Sequence, residues 1–276
     1  KLMAINTGVF LILQLLRLVF YLLYGSDVII DLTRSWLSLP ADFMVLLFKP
    51  WTLISYMFLH VNLMHIFFNL LIFYWTGKLF TEYLGNDRLW STYILSGISG
   101  GVLYILLYNI LPVFSGSVQL AYLMGASAGI IGVMVAIATL LPDYTVQLLF
   151  IGNVRLKYIA LFSVILYAIN IPDGNAGGNI AHLGGALFGF IMVKQLRKGT
   201  DITAWLVKLF SKGKGRMKVV ESKKKRTETD EEYYERKKSR QEVIDQILDK
   251  ISQSGYSSLS TEEKDILFKA SKNIKE

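Results

Sequence analysis

The chain has 276 residues, 53% of them hydrophobic, with a mean hydropathy of +0.43 and a formal charge of +8. It is too apolar for an ordinary soluble domain and fits several membrane spans followed by a polar tail. Cysteine is absent, which excludes disulfides, cysteine nucleophiles and thiolate metal sites.

Leu2 to Tyr24 is an apolar run, interrupted most strongly by Gln14 and Arg17. It is long enough to span a bilayer. It is too long for a signal peptide and has no small-x-small cleavage site, so a retained first helix is expected. Residues 25–52 differ. Asp27, Asp31, Arg34, Asp42 and Lys49 break up apolar clusters, and Pro40 and Pro50 break them further. This segment reads as an interfacial loop with aromatic anchors, half-immersed in lipid. Five more spans follow: Phe58 to Phe80, Leu89 to Leu111, Ser127 to Leu141, Leu156 to Ile171, and about Gly178 to Gln195. The stretch from Ile171 to Asn179 holds Pro172, Gly174, Gly177 and Gly178 and reads as a flexible loop.

From residue 194 onward the chain carries 21 Lys and Arg against 14 Asp and Glu, leaving 8 and 7 before it. A basic segment beside a last span marks the cytoplasmic side, and a nucleic-acid partner is not expected. Arg88, Arg155 with Lys157, and Lys194 with Arg197 and Lys198 fall on one side of a six-span topology. They put the N-terminus, the tail and the even-numbered loops in the cytoplasm, against the weaker opposing signal of Arg34 and Lys49. The expected organisation is a membrane domain over residues 1–198, a basic juxtamembrane linker over 199–227 and a soluble helical tail over 228–276. Asp201 to Phe210 reads as a short amphipathic helix on the membrane surface. In the tail, Val243, Ile244, Ile247, Leu248 and Ile251 share one helical face. Ser260 with Glu263 forms a capping box for a last short helix. The composition of the tail names no cytoplasmic partner for it.

The chemistry-bearing stretch is Gly125-Ala126-Ser127-Ala128-Gly129, which opens an apolar run to Leu141. Its bland reading is helix packing through small residues. The histidines argue for more. There are three, His60, His65 and His182, all in or beside apolar segments. Gly185 and Gly189 follow His182 at three and seven residues, so the three share a face where a neighbouring helix can approach closely. Ser127, Gly129, Gly132 and Ala136 offer a matching set on the fourth span. Helices packed through these faces bring Ser127 within hydrogen-bond reach of His182, a hydroxyl with a neighbouring base. An ionisable group in a span is costly, which favours function over a histidine that merely satisfies a carbonyl. His65 and Asn69, four apart, share a face of the second span and can donate hydrogen bonds to a developing oxyanion. A zinc site is disfavoured, because His60 and His65 are five apart with no carboxylate nearby. Asp143 and Asp173 lie at span ends beside prolines, unlike an aspartyl protease pair at depth. The paired broken spans of a transporter are missing.

His60-x4-His65-x3-Asn69, then Gly125-x-Ser127, then Ala181-His182-x2-Gly185-x3-Gly189, on successive spans, resembles the rhomboid family of intramembrane serine proteases. The similarity covers roughly Trp51 to Gln195. It implies an all-α six-span bundle carrying a Ser127 nucleophile and a His182 general base with no third acid. It implies an oxyanion hole of the Ser127 backbone N–H with the His65 and Asn69 side chains. His60, Gly125, Gly185 and Gly189 would be supporting positions. The fifth span would be a lateral gate, the Ile171 to Asn179 loop a cap, and residues 25–52 a membrane-dipping loop. Departures are Ala128 for the usual glycine, Thr52 after Trp51 where the family often has arginine, and Glu82 five rather than four after Gly77. Some members also carry a tyrosine four after the serine, stacked on the base, and here that position is Ile131. The resemblance implies cleavage of single-span membrane proteins near the outer end of their transmembrane helix, in a bacterial inner membrane, with no cofactor and no metal. The alternative is an inactive rhomboid-like factor or scaffold that binds transmembrane helices.

Overall fold

The computed structural model describes residues 1–148, 151–210, 230–255 and 258–272. Two compact units, Lys1–Gly213 and Lys214–Glu276, make up the chain. In the first, four helices are long and apolar enough to cross a membrane. They are α1 (Leu2–Tyr24), α5 (Leu63–Leu84), α6 (Asn86–Ile110) and α9 (Ala176–Arg197). Two shorter apolar helices, α7 (Ser127–Leu140) and α8 (Leu156–Ile169), stand where the fourth and fifth spans are expected. The result is an all-α membrane bundle.

Residues 25–52, expected as a loop, fold into short pieces: α2 (Val28–Trp36), the two-residue strand β1 (Leu39–Pro40), α3 (Phe43–Phe48) and the start of α4 (Thr52–Ser55). Asp42 caps α3 by accepting from the Met44 N–H at 2.8 Å. Trp36 and Trp51 stack with centroids 6.3 Å apart, and the Trp51 indole donates to the Trp36 carbonyl at 2.8 Å. Both rings stay half exposed, as does Phe43, and Phe48 is mostly exposed, which suits a headgroup-level anchor. β1 pairs antiparallel with β2 (Tyr122–Leu123), the segment that leads into Ser127. Asn109 of α6 donates to the Ala41 carbonyl at 2.8 Å and fixes β1 against the bundle.

Several boundaries differ from expectation. The second span begins at Leu63, not Phe58. Asn62 has extended backbone, and its side chain accepts from the His65 N–H at 2.8 Å, an N-cap that holds the helix start there. A 3₁₀ turn occupies Tyr56–Phe58 instead. α9 begins at Ala176, so Ala176 to Asn179 are helical and the expected loop shrinks to 170–175. Between α7 and α8 lies an unexpected hairpin of β3 (Thr145–Leu148) and β4 (Gly152–Arg155), with Gly152 at φ +87° opening its second strand.

The core lies where α6, α7 and α9 meet. Ten residues of α9, from Gly178 to Val193, are buried. Glycines set the spacing. A Cβ on Gly185 would collide with the Ala128 backbone, and one on Gly189 with the Gly132 backbone. A Cβ on Gly184 would lie 2.8 Å from the Gly100 Cα of α6. Lipid supplies no hydrophobic drive between helices, so such close backbone approach is what holds them together. Gly129 departs from expectation: it faces Tyr93 of α6, while Gly132 is closed in by both Ser96 of α6 and the Gly185 backbone of α9. Beyond Arg197, the helix α10 (Ala204–Phe210) buries Leu206 and exposes Trp205 and Leu209. An Arg88–Asp201 ion pair of 2.9 Å lies at its root.

The second unit contains α11 (Asp230–Ser254) and α12 (Thr261–Lys272). The capping box forms: the Glu263 N–H donates to Ser260 Oγ at 3.2 Å, and the Ser260 N–H to Glu263 Oε2 at 2.7 Å. Lys250 Nζ sits 2.9 Å from the same Glu263 and holds its carboxyl below the ordinary range. Of the expected apolar face, Ile247 is buried, while Val243 and Leu248 stay exposed. The 12-residue α12 does not cover the whole stripe of the 25-residue α11.

Candidate active site

Ser127 is the first residue of α7. A first-turn N–H has no acceptor within its own helix, so this end of α7 offers free donors. With 14 residues, α7 is only about 21 Å long, short of a bilayer core of about 30 Å. The approach to Ser127 is fastened at Tyr56. The Tyr56 hydroxyl donates to the Gly97 carbonyl of α6 at 2.7 Å, and its own carbonyl accepts from the Gly125 N–H at 2.9 Å. Gly125 has φ +144°, a backbone that side chains resist. A Cβ there would stand 3.2 Å from His65 Nε2 and 3.4 Å from Ser127 Oγ. The imidazole and the hydroxyl therefore face one small space that a side chain at Gly125 would fill.

His182 occupies the seventh position of α9. Its Nε2 lies 2.6 Å from Ser127 Oγ, across 55 residues of chain. The glycine contacts of α7 with α9 explain the approach: Gly185, one turn on from His182, packs on the backbone of Ala128. His182 Nδ1 is buried and has no hydrogen-bond partner among the described residues, so none of their carboxylates backs the ring. Instead the Tyr167 ring of α8 lies against it, centroids 4.3 Å apart and tilted by 58°. The sequence reading missed this contact.

The second-span pair faces the same space. His65 Nδ1 accepts from the Val61 N–H at 3.4 Å, which leaves the proton of a neutral ring on Nε2, the nitrogen turned toward Gly125. The Asn69 side chain donates one N–H to the His65 carbonyl at 3.0 Å and keeps the other. His60 does not line the cavity; its ring packs edge-on against His65 at 5.2 Å.

These groups line a cavity of about 920 Å³. Asn62, His65 and Asn69 stand on one wall, Ser127 and His182 on the floor, and Tyr167 on the α8 side. Asn175, Gly177 and Gly178 close it from the start of α9, and Tyr104 and Tyr108 from α6. The arrangement can remove a proton from a hydroxyl and offer N–H donors beside it. The positions drawn together from sequence, Ser127, His182, His65, Asn69 and Gly125, all meet here. Glu82 is exposed on α5 and takes no part.

Comparison with known proteins points the same way. A rhomboid domain model matches residues 47–198. A family of unknown function (DUF6576) matches residues 227–273. The chain is 27% identical to the rhomboid protease GlpG of Serratia proteamaculans over 192 residues, 69% of this chain and 59% of that protein. RHOMBOID-like protein 12, mitochondrial, of Arabidopsis thaliana is 27% identical over 157 residues, 54% of this chain and 47% of that one. RHOMBOID-like protein 6, mitochondrial, of the same plant is 29% identical over 161 residues, 55% and 47%. The chain thus spans about half the length of the curated relatives it matches. The rhomboid model covers more than half of the chain and takes in every residue of the cavity floor, so the chain belongs to the rhomboid family.

Proposed function

We propose that this protein is an intramembrane serine endopeptidase working through a Ser127–His182 dyad. Ser127 Oγ attacks the scissile carbonyl carbon while His182 Nε2 takes the hydroxyl proton. The tetrahedral oxyanion is met by the Ser127 N–H, His65 Nε2–H and the free N–H of Asn69. His182 then returns its proton to the leaving amine. Water repeats the sequence on the acyl-serine ester and frees Ser127. The observation that carries this reading is the 2.6 Å approach of His182 Nε2 to Ser127 Oγ inside a cavity.

The substrates are single-span membrane proteins, cut near the outer end of the transmembrane helix. Helices that unwind readily are preferred, because the scissile bond must leave its helix to reach Ser127. The Lys and Arg pattern places both termini in the cytoplasm of a bacterial inner membrane and the cavity toward the opposite face. The helical tail is a soluble module on the cytoplasmic side.

Fluorophosphonate labelling of the purified full-length chain tests the reading. Wild-type protein should label, and Ser127→Ala should not label while keeping its fold. A folded wild-type chain that never labels would instead support a non-proteolytic membrane factor that binds transmembrane helices.

A further inference from the structure

We propose that Tyr167 is the positioning residue for the His182 imidazole, and that the alignment of the base therefore depends on where α8 stands. This rests on the protease reading above. His182 is fixed by few contacts. Nε2 meets Ser127 Oγ, and Nδ1 has no partner. A ring held at one nitrogen can still swing about its side-chain bonds unless a surface stops it. That surface is the Tyr167 ring, with centroids 4.3 Å apart and the two rings tilted by 58°. One turn beyond the serine, Ile131 is only 2% exposed and packed in the core. The aromatic neighbour of the base thus comes from α8 and not from α7.

α8 is a weakly seated helix. It buries Leu156 and Ala160, both in its first two turns, far along the helix from Tyr167. Around Tyr167, Ile165 and Ile169 are 48% and 61% exposed. Its last turn is latched to α9 at two points. One is the ring contact itself. The other is Asn179, whose side chain donates to the Asn170 carbonyl at 2.6 Å. Asn179 and His182 lie on adjacent turns of α9, while Tyr167 stands in the last turn of α8 and Asn170 is the residue that caps its end. When the end of α8 moves outward, both contacts break together and the imidazole loses the surface that orients it. Closure of α8 behind a bound substrate restores it.

Tyr167 acts through its ring face, so Tyr167→Phe should behave as wild type, while Tyr167→Leu and Tyr167→Met should not. A displacement of about 1 Å in a reacting group can cost about a hundredfold in rate. The fluorophosphonate inactivation rate reads Ser127 activation directly, and cleavage of a single-span model substrate in phosphatidylethanolamine–phosphatidylglycerol vesicles separates kcat from KM. The expected result is labelling and kcat reduced about 10- to 100-fold in Leu and Met, with KM and melting temperature unchanged and Phe within about twofold of wild type. Wild-type labelling rates in either Leu or Met overturn the proposal, and so does a fall confined to KM. A wild-type chain that does not label at all overturns the protease reading itself, a separate and recognisable failure.

Discussion

Helices α9 and α8 are neighbours in the bundle, but opposite means hold them. α9 is pressed between α6 and α7 at glycine contacts that admit no Cβ. α8 lies at the edge, with Leu161, Phe162, Ile165 and Ile169 each about half exposed or more. The groups proposed to do chemistry, Ser127 and His182, sit on the rigid pair. The groups that would respond to motion, Tyr167 and Asn170, sit in the last turn of the loose helix and at its C-cap. In a bilayer, where apolar area contributes little to helix association, backbone proximity separates the two classes. A protease site of the proposed kind, which holds two atoms 2.6 Å apart and would still have to admit a transmembrane substrate, needs both kinds of wall.

The largest effect should come from forcing the rigid pair apart. Gly185→Val would drive a side chain into the Ala128 backbone, one residue from Ser127. It should abolish labelling and lower the melting temperature of the detergent-purified protein by many degrees. Gly8→Ala serves as a control, because a Cβ there meets nothing within 4 Å. A second pair uses one residue type on two helices. Ile131 is 2% exposed and Ile165 is 48% exposed. Ile131→Ala should cost about 2–4 kcal/mol, as a truncation that leaves a cavity does. Ile165→Ala should cost less than about 0.5 kcal/mol, since lipid fills the space. Equal losses in reversible unfolding would remove the distinction between the helices.

The rigid half was legible in the sequence because its signals are local and repetitive. Gly185 and Gly189 share a face with His182, and Gly125 flanks Ser127. The loose half was not. Tyr167 is an aromatic residue in an apolar span, indistinguishable by pattern from a lipid-facing one. Its partner lies fifteen residues away, beyond a turn whose length was misread because Ala176 to Asn179 proved helical. Asn6 was also passed over. It is buried in α1 and donates to its own Leu2 carbonyl and, at 3.4 Å, to the Tyr93 hydroxyl of α6. The β3–β4 hairpin carries a glycine, Gly152, at the start of its second strand, but its strands are too short for their alternation to stand out.

A smaller effect is expected at the second point of the latch. Asn179→Ala removes the 2.6 Å hydrogen bond to the Asn170 carbonyl, worth about 1 kcal/mol. Because that bond ties only the last turn of α8, the loss should be local. Amide exchange should quicken over 166–170 and stay unchanged in α7. Exchange that quickened equally in both helices would mean α8 is not a separately held element.

The smallest effect lies at the end of the bundle where α6 begins, at Asp201. Burial there opposes ionisation. Hydrogen bonds from Thr203 and Arg88, with the Arg88 charge, outweigh it and leave the carboxyl below its ordinary range. A carboxyl depressed in the folded state adds stability at any pH above its unfolded value and loses it as pH falls through the folded one. The fastening of α10 to the start of α6 should therefore be intact at neutral pH and weaken only in acid, below the usual carboxylate range. Asp201→Asn should remove that acid dependence at a cost of less than about 1 kcal/mol, since the ion pair is partly exposed. It should leave fluorophosphonate labelling at neutral pH unchanged, because the pair sits at the end of the bundle remote from Ser127. A labelling rate that fell with this substitution would mean that the α10 end of the bundle communicates with the cavity, and the contrast drawn between a fixed core and one movable helix would have to include α6.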